Sequence, residues 1–430
     1  MKFSRINDAL EHKYRDGESP KAANRRKMLD KVFYACAAIV LIASITFNVL
    51  WATGALTRGN DGAENSKPWP TPNVPEEIKF NVIDRSKGVK ALEVEEKRVN
   101  QPCVYGHELL FSAGTGNLEN SVLTNLYLFD AITGKTEKVA QSSIKDGEIY
   151  ETYLSENWIV WLDTDHKGKN IIYKKNRVAF DNIPAGTVSV VQETENHMPR
   201  LGLYGNYLVW MEQISDKQDK LYFVDLTTDE NMALQLFENT NYAVSTPFIY
   251  KNMVLWAEKD PDSSDESKSA IYNVVFDQLG QSNSNEDNTL DEDVTDDDTS
   301  DADEEDSGEL EPEIFKTGTY VHKPICNDDI FVWIDKNNAP DSNLYYAYKS
   351  GATPPVMFWK NVTQYSLGDD FIAFVSNQMV YAYYYKSNIL VQVSEAGRSA
   401  ILPQAFGSLV VWEDKTDTSG KDVFKYNVLG

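Results

Sequence analysis

The sequence predicts an all-β chain, a seven-bladed β-propeller preceded by one transmembrane helix. Three observations lead there: a short apolar run ending in a large aromatic comes back seven times, its copies keep a near-constant period, and one long stretch near the N-terminus carries no charge. The runs read HELLFS at Phe111, NWIVWL at Trp161, NYLVWM at Trp210, NMVLWA at Trp256, DIFVWI at Trp333, DFIAFV at Phe374 and SLVVWE at Trp412. Each is rich in β-branched and aromatic residues and follows turn formers, the pattern of a buried strand. The anchors lie 50, 49, 46, 77, 41 and 38 residues apart, and the long interval holds a polar insertion. Without it the period is about 45, which with several short strands per unit suits four-stranded blades around an axis. Six or eight blades are the neighbouring alternatives, because the sixth and seventh repeats are short.

Residues 1–31 are polar and basic, with nine Lys or Arg against five acids, and no core can form from them. Residues 32–57, VFYACAAIVLIASITFNVLWATGALT, run for 26 positions without a charge. As a helix they would span about 39 Å, enough to cross a bilayer. Arg25, Arg26, Lys27 and Lys31 precede this segment, so the positive-inside bias places the N-terminus in the cytoplasm and the rest outside. The apolar run is longer than the core of a cleaved signal peptide, which favours an uncleaved anchor. Residues 58–77 carry Pro68, Pro70, Pro72 and Pro75 and read as an extended stalk.

The propeller is expected over 78–430. The last repeat stops at DVFKYNVLG without a fourth strand, so a segment ahead of the first repeat must close the ring, and residues 89–99 are the expected donor. Pro102, Pro199, Pro247, Pro324 and Pro403 precede five of the anchors and are expected at the starts of inner strands. Third strands read NLYLFDAITGKTEKV, KLYFVDLTTDENMAL, AIYNVVFDQLG, NLYYAYKSG and DVFKYNVLG. Between them, residues 282–313 hold sixteen acids and no base, a composition that predicts a disordered insert in blade four.

The combination of a strand ending in Val-Trp, a polar Asp/Gly hairpin, a hydrophobic-Tyr strand and an Asp-x-x-Thr-Gly turn resembles the TolB-like propeller repeats of bacterial extracytoplasmic proteins. The resemblance covers residues 89–430 and implies a fold; it carries no function. The Ser-Pro-Asp-Gly hairpin frequent in those repeats is absent, and there is no room for TolB's separate α/β domain.

A net charge of −25 excludes nucleic acid as a partner, since a phosphate backbone needs a basic surface. Cys103 and Cys326 fall in blades that are not neighbours, so they are expected as free buried thiols, with Cys36 in the apolar segment. There is no Gly-x-Ser-x-Gly nucleophile motif. His197 and His322 precede inner-strand prolines and are the candidate pair at a channel mouth for a metal or an anionic group, against the plainer reading of solvated strand ends. Asp163 and Asp165 in DTDHKG have the spacing of a calcium loop without its downstream Glu, as does the stretch near Asp414 and Asp417. Ordinary hairpin chemistry is the preferred reading of both, with calcium as the alternative and no cofactor expected. Trp69, Trp359 and the YAYYYKSN stretch from Tyr381 are candidate sugar platforms, against core packing.

These features point to a single-pass bacterial membrane protein whose extracytoplasmic propeller is a non-catalytic binding or scaffolding module for an envelope protein. The alternative is a sensor or enzyme that takes cell-wall glycan or a small ligand in the channel.

Overall fold

The computed structural model describes residues 80–429, apart from short breaks and the stretch 276–311. Residues 1–79, which include the basic tail, the apolar segment 32–57 and the stalk, lie outside the described residues, as does most of the acidic insert. Among the described residues no helix is long and apolar enough to cross a membrane. They form seven separate sheets, one for each repeat, and the fold is an all-β seven-bladed propeller.

Blade one shows the plan: Arg98–Tyr105, Glu108–Thr115, Val122–Asp130 and Thr136–Gln141 pair as an antiparallel meander in that order. Blades two to six repeat it over 148–194, 200–239, 248–319, 322–359 and 365–392, and the last three consecutive strands, 400–428, belong to blade seven. All seven anchors lie on the second strand of their blade and are almost fully buried. Their side chains meet the third strand in one register. Phe111 faces Tyr127, Trp161 faces Tyr173, Trp210 faces Tyr222, Trp256 faces Tyr272, Trp333 faces Tyr345 and Phe374 faces Tyr381. Ring centroids in these pairs are 5.0 to 5.9 Å apart and the planes 9 to 26° from parallel. Cross-strand aromatic pairs of this kind add to the area they bury, by about 1 kcal/mol each. In blade seven Lys425 takes the tyrosine's place opposite Trp412, and its ammonium pairs with Asp414 at 2.6 Å.

Two N-terminal segments complete the ring. Lys90–Leu92 pairs antiparallel with Val423–Val428 as the outer strand of blade seven. Of the expected donor 89–99, Arg98 and Val99 instead begin blade one. Asn81–Asp84 adds a fifth, parallel strand to blade six, for which the sequence offered no place. Phe80 then sits between Trp359 of blade five and Tyr383 of blade six, 5.4 Å from each ring. At the junction of blades seven and one, Arg98 donates to Asp422 at 2.9 Å, and Lys415 reaches both Asp422, at 3.1 Å, and Glu413.

The prolines differ from expectation in an informative way. Pro199 and Pro247 do stand just ahead of first strands, but Pro102, Pro324 and Pro403 lie inside them. Each of these three falls in a bulge, where the register slips between Asn100 and Cys103, His322 and Ile325, or Ile401 and Gln404. A bulged residue owes no hydrogen bond to the ladder, so a missing N–H costs nothing there. The residues before two of them, Lys323 and Leu402, are left-handed with φ of 52° and 51°. Innermost strands also have one unpaired edge, and side chains of the preceding blade serve it. Cys103 Sγ accepts from the Leu154 N–H, Glu151 from Leu201, Gln364 from Leu402 and Ser366 from Ala405.

Candidate binding face

The meander gives the propeller two unlike faces. The hairpins joining first to second strands and third to fourth strands lie on one, called the lower face here, and the hairpins joining second to third strands lie on the other, the upper face. The candidate residues from the sequence fall mainly on the upper side. Asp163 is fully buried two residues beyond the Trp161 anchor, and its carboxylate accepts from Ser142 Oγ at 2.7 Å, Ser143 N at 2.6 Å and Ser143 Oγ at 2.9 Å. It ties the connection from blade one to blade two. Asp165 caps its own hairpin by accepting from the N–H groups of Lys167 and Lys169, bonds that hold its pKa below the usual carboxylate value. Both carboxylates are thus engaged in turn geometry.

His322 opens the first strand of blade five, and its Nδ1 lies 2.6 Å from the Tyr320 carbonyl oxygen. His197, the other member of the candidate pair, lies outside the described residues. Among the described residues no three His, Cys, Asp or Glu side chains converge as a metal site would require. Cys103 and Cys326 are free thiols, each pushed up by burial to about 11. Of the candidate platforms, Trp359 stacks within 5.4 Å of Phe80 and Phe374 and donates to Ser376 Oγ, and Tyr381 packs on Phe374. These rings are parts of the blade five–six layer. Trp69 lies outside the described residues.

Acids recur at the upper ends of the second strands. Two residues past the anchor come Asp163, Glu212, Glu258, Asp335 and Asp414, all buried. Glu258 stands out: Oε1 accepts from the Trp256 indole at 3.0 Å, Oε2 has no hydrogen-bond partner among the described residues, and burial, with Asp219 nearby, raises its pKa to about 7.

The lower face is organised differently. First strands end there at Tyr105, Leu154, Tyr204, Tyr250, Cys326, Leu367 and Phe406, around the mouth of the channel. Four of these ends are aromatic, and those same four blades, one, three, four and seven, turn into the second strand through two residues: Gly106-His107, Gly205-Asn206, Lys251-Asn252 and Gly407-Ser408. The first residue of each turn has φ between 55° and 61°, as two-residue hairpins demand. Blades two, five and six use three-residue turns and end in Leu or Cys. Neighbouring aromatic ends pack in pairs, Tyr105 with Phe406 at 4.4 Å and Tyr204 with Tyr250 at 4.8 Å. Lys251 and Lys349 lie over the Tyr250 ring, at 5.6 and 5.3 Å, and Lys251 pairs with Asp328. That hydrogen bond from Lys251 comes first among the causes lowering the Asp328 pKa.

The mouth aromatics are less conspicuous in the sequence than the anchors, since only four of the seven repeats carry them. A signal was present: VYGHELLF, LYGNYLVW, IYKNMVLW and AFGSLVVW each put an aromatic six residues ahead of the anchor, directly before the turn.

No family model matches the chain, and no curated protein matches it in sequence. Solved structures match its fold. The β-propeller domain of the Trilobed protease from Pyrococcus furiosus superposes with a TM-score of 0.54 at 9% identity, covering 77% of this chain and 93% of that one. An oligogalacturonate lyase in complex with manganese gives 0.51 at 12% identity, over 82% and 97% of the two chains. An acylaminoacyl peptidase in complex with Z-Gly-Gly-Phe-chloromethyl ketone gives 0.54 at 10% identity; the match covers 77% of this chain and 51% of the peptidase. At these identities the likeness is one of fold alone.

Proposed function

We propose that the chain is a non-catalytic protein-binding module of the bacterial cell envelope, held by the apolar segment 32–57 with its N-terminus in the cytoplasm and its TolB-like propeller outside. The carrying observation is the one-sidedness of the propeller: the upper-side candidate carboxylates are engaged in turns, while the lower face gathers aromatic strand ends and exposed apolar residues. Rigid blades that present turns on one face make a platform suited to a partner. Val275, the last described residue ahead of the acidic insert, is on that face too, paired with Met253 beside the Lys251-Asn252 turn.

The test is crosslinking in living cells to the full-length protein, with a second strain lacking residues 283–312, followed by mass spectrometry. A stoichiometric protein partner in the intact strain is the expected result, and its loss in the deletion strain would make the insert part of the contact. Recovery of no protein partner in either strain would shift the reading to the second one, a sensor of cell-wall glycan or a small ligand. That second reading is favoured by the paired tyrosines at the mouth.

A further inference from the structure

We propose that the arc of the lower face formed by blades seven, one, two, three and four is the docking surface, and that its occupant is a protein with a basic rim; this rests on the binding-module reading above. Two independent features mark out the same arc. The aromatic strand ends Phe406, Tyr105, Tyr204 and Tyr250 belong to blades seven, one, three and four. Large exposed apolar residues at lower strand ends and turns follow them: Val428 on blade seven, Ile132 on one, Val178 and Val188 on two, Tyr207 on three and Val275 on four. Ile132 is 75% exposed and Val428 55%, and what marks an interaction site is the gathering of such residues on one face. Charged pairs lie beside and among them: Asp328 with Lys251, Asp329 with Lys386, Arg177 with Glu108, and His107 beside Asp130. Apolar and charged groups thus alternate across this face, and interfaces combine apolar and aromatic anchors with charged surroundings.

The size of the arc and its charge choose the occupant. Ile132 and Val178 sit on the hairpins to the outer strands, so exposed apolar side chains are spread over the face from the channel mouth to the periphery of two blades. A sugar ring at the mouth would leave most of it bare. Two ammonium groups lie over the Tyr250 ring, so a sugar stacking there would compete with them. The electrostatic setting is acidic. Blade four sends out the segment with sixteen acids and no base from this side, between Val275 and Glu313, and the chain carries −25 overall. Long-range attraction in such a field selects a basic partner and speeds its approach.

A photo-crosslinking amino acid placed one at a time at Ile132, Val178 and Tyr207 of the full-length protein in its own cells tests this, with Val122 and Tyr320 on the upper side as controls. Adducts to one basic protein from the lower positions and none from the upper are expected. The double substitution Ile132→Lys with Val178→Lys should lower the adduct yield at Tyr207 at least tenfold, and Ile132→Glu with Val178→Glu should lower it less. Equal losses would overturn the basic partner. Adducts from the upper positions alone, with the partner retained, would overturn the docking surface and leave the binding-module reading standing. Adducts to a second copy of the chain, to lipid or to glycan would overturn the occupant, and the absence of any partner in either experiment would overturn both proposals.

Discussion

At the upper end of the second strand of blade four, Glu258 has a carboxyl oxygen that nothing described satisfies, and a pKa near 7 where an exposed carboxyl has 4.5. The proton is favoured in the folded state because desolvation penalises the charge and Asp219 adds repulsion. Below the unfolded value both states hold the proton and nothing is lost. Between 4.5 and about 7 the folded chain binds more protons than the unfolded one, so stability falls as pH rises through that window. Above it the full penalty, about 3 kcal/mol, remains. Glu258→Gln should accordingly raise the urea midpoint at pH 8 and leave it nearly unchanged at pH 4.5; an equal effect at both values would remove the ionisation argument. The anchors make the opposite kind of prediction. Trp210 is fully buried against Tyr222, and Trp210→Ala should cost about 4 kcal/mol at any pH, read from the same denaturation curves. The anchor was legible because a large aromatic at a fixed period has few explanations. Glu258 was not, because an acid two residues later looks in sequence like the start of a solvated hairpin, and only the packed blade shows that it is dry.

Within the blade, the strand order and the stacked pairs follow from what the sequence displays: turn residues at short intervals, a Val-Trp strand and a tyrosine strand. The innermost strand was harder to read. Its prolines mark a bulge in blades one, five and seven, and a bulge leaves no trace in alternation beyond the proline itself. Ring closure was legible as a need, since the last repeat is one strand short, but the donor reduces to Lys90–Leu92, three residues in register with Tyr426, Lys425 and Phe424. So short a strand needs help, and the buried pairing of Arg98 with Asp422 supplies it across the same junction. Arg98→Ala should cost about 3 kcal/mol, toward the low end for a broken buried pair because Lys415 still faces Asp422. Amide exchange would place the loss: faster exchange in Lys90–Leu92 and Val423–Val428 than in blades two to four is expected, and uniform acceleration around the ring would refute the clasp.

For the molecule as a whole, repeat period and missing strand were enough to forecast seven blades, while the face proposed for docking was not forecast. The candidates chosen from the sequence were two histidines for the channel mouth and two aspartates in a hairpin loop; the lower face is distinguished by a collective feature, turn length and aromatic strand ends that agree over four blades. Such agreement is carried by only four of the seven repeats, in the aromatic six residues ahead of the anchor, and no single repeat displays it. The acidic insert is expected to be energetically separate from the ring, because its flanks, Lys268–Val275 and Glu313–Thr319, already pair with one another. Removing residues 283–312 should leave the melting temperature within about 2 °C of the intact protein, a shift within the range of ordinary surface changes. A larger fall would mean that the insert contributes to the packing of blade four.

The closure described above also sets a schedule. Lys90–Leu92 is synthesised ahead of every blade and its partner Val423–Val428 after nearly all of them, and the Arg98 clasp spans 324 positions to Asp422. Until the last strand emerges, the first waits with an unpaired edge, and six finished blades form an open arc with its two end sheets uncovered. Contacts this distant in sequence are slow to form, and open edges recruit other chains in the interval. The nascent chain is therefore most exposed to misassembly just before completion, when nearly all of its surface is already native.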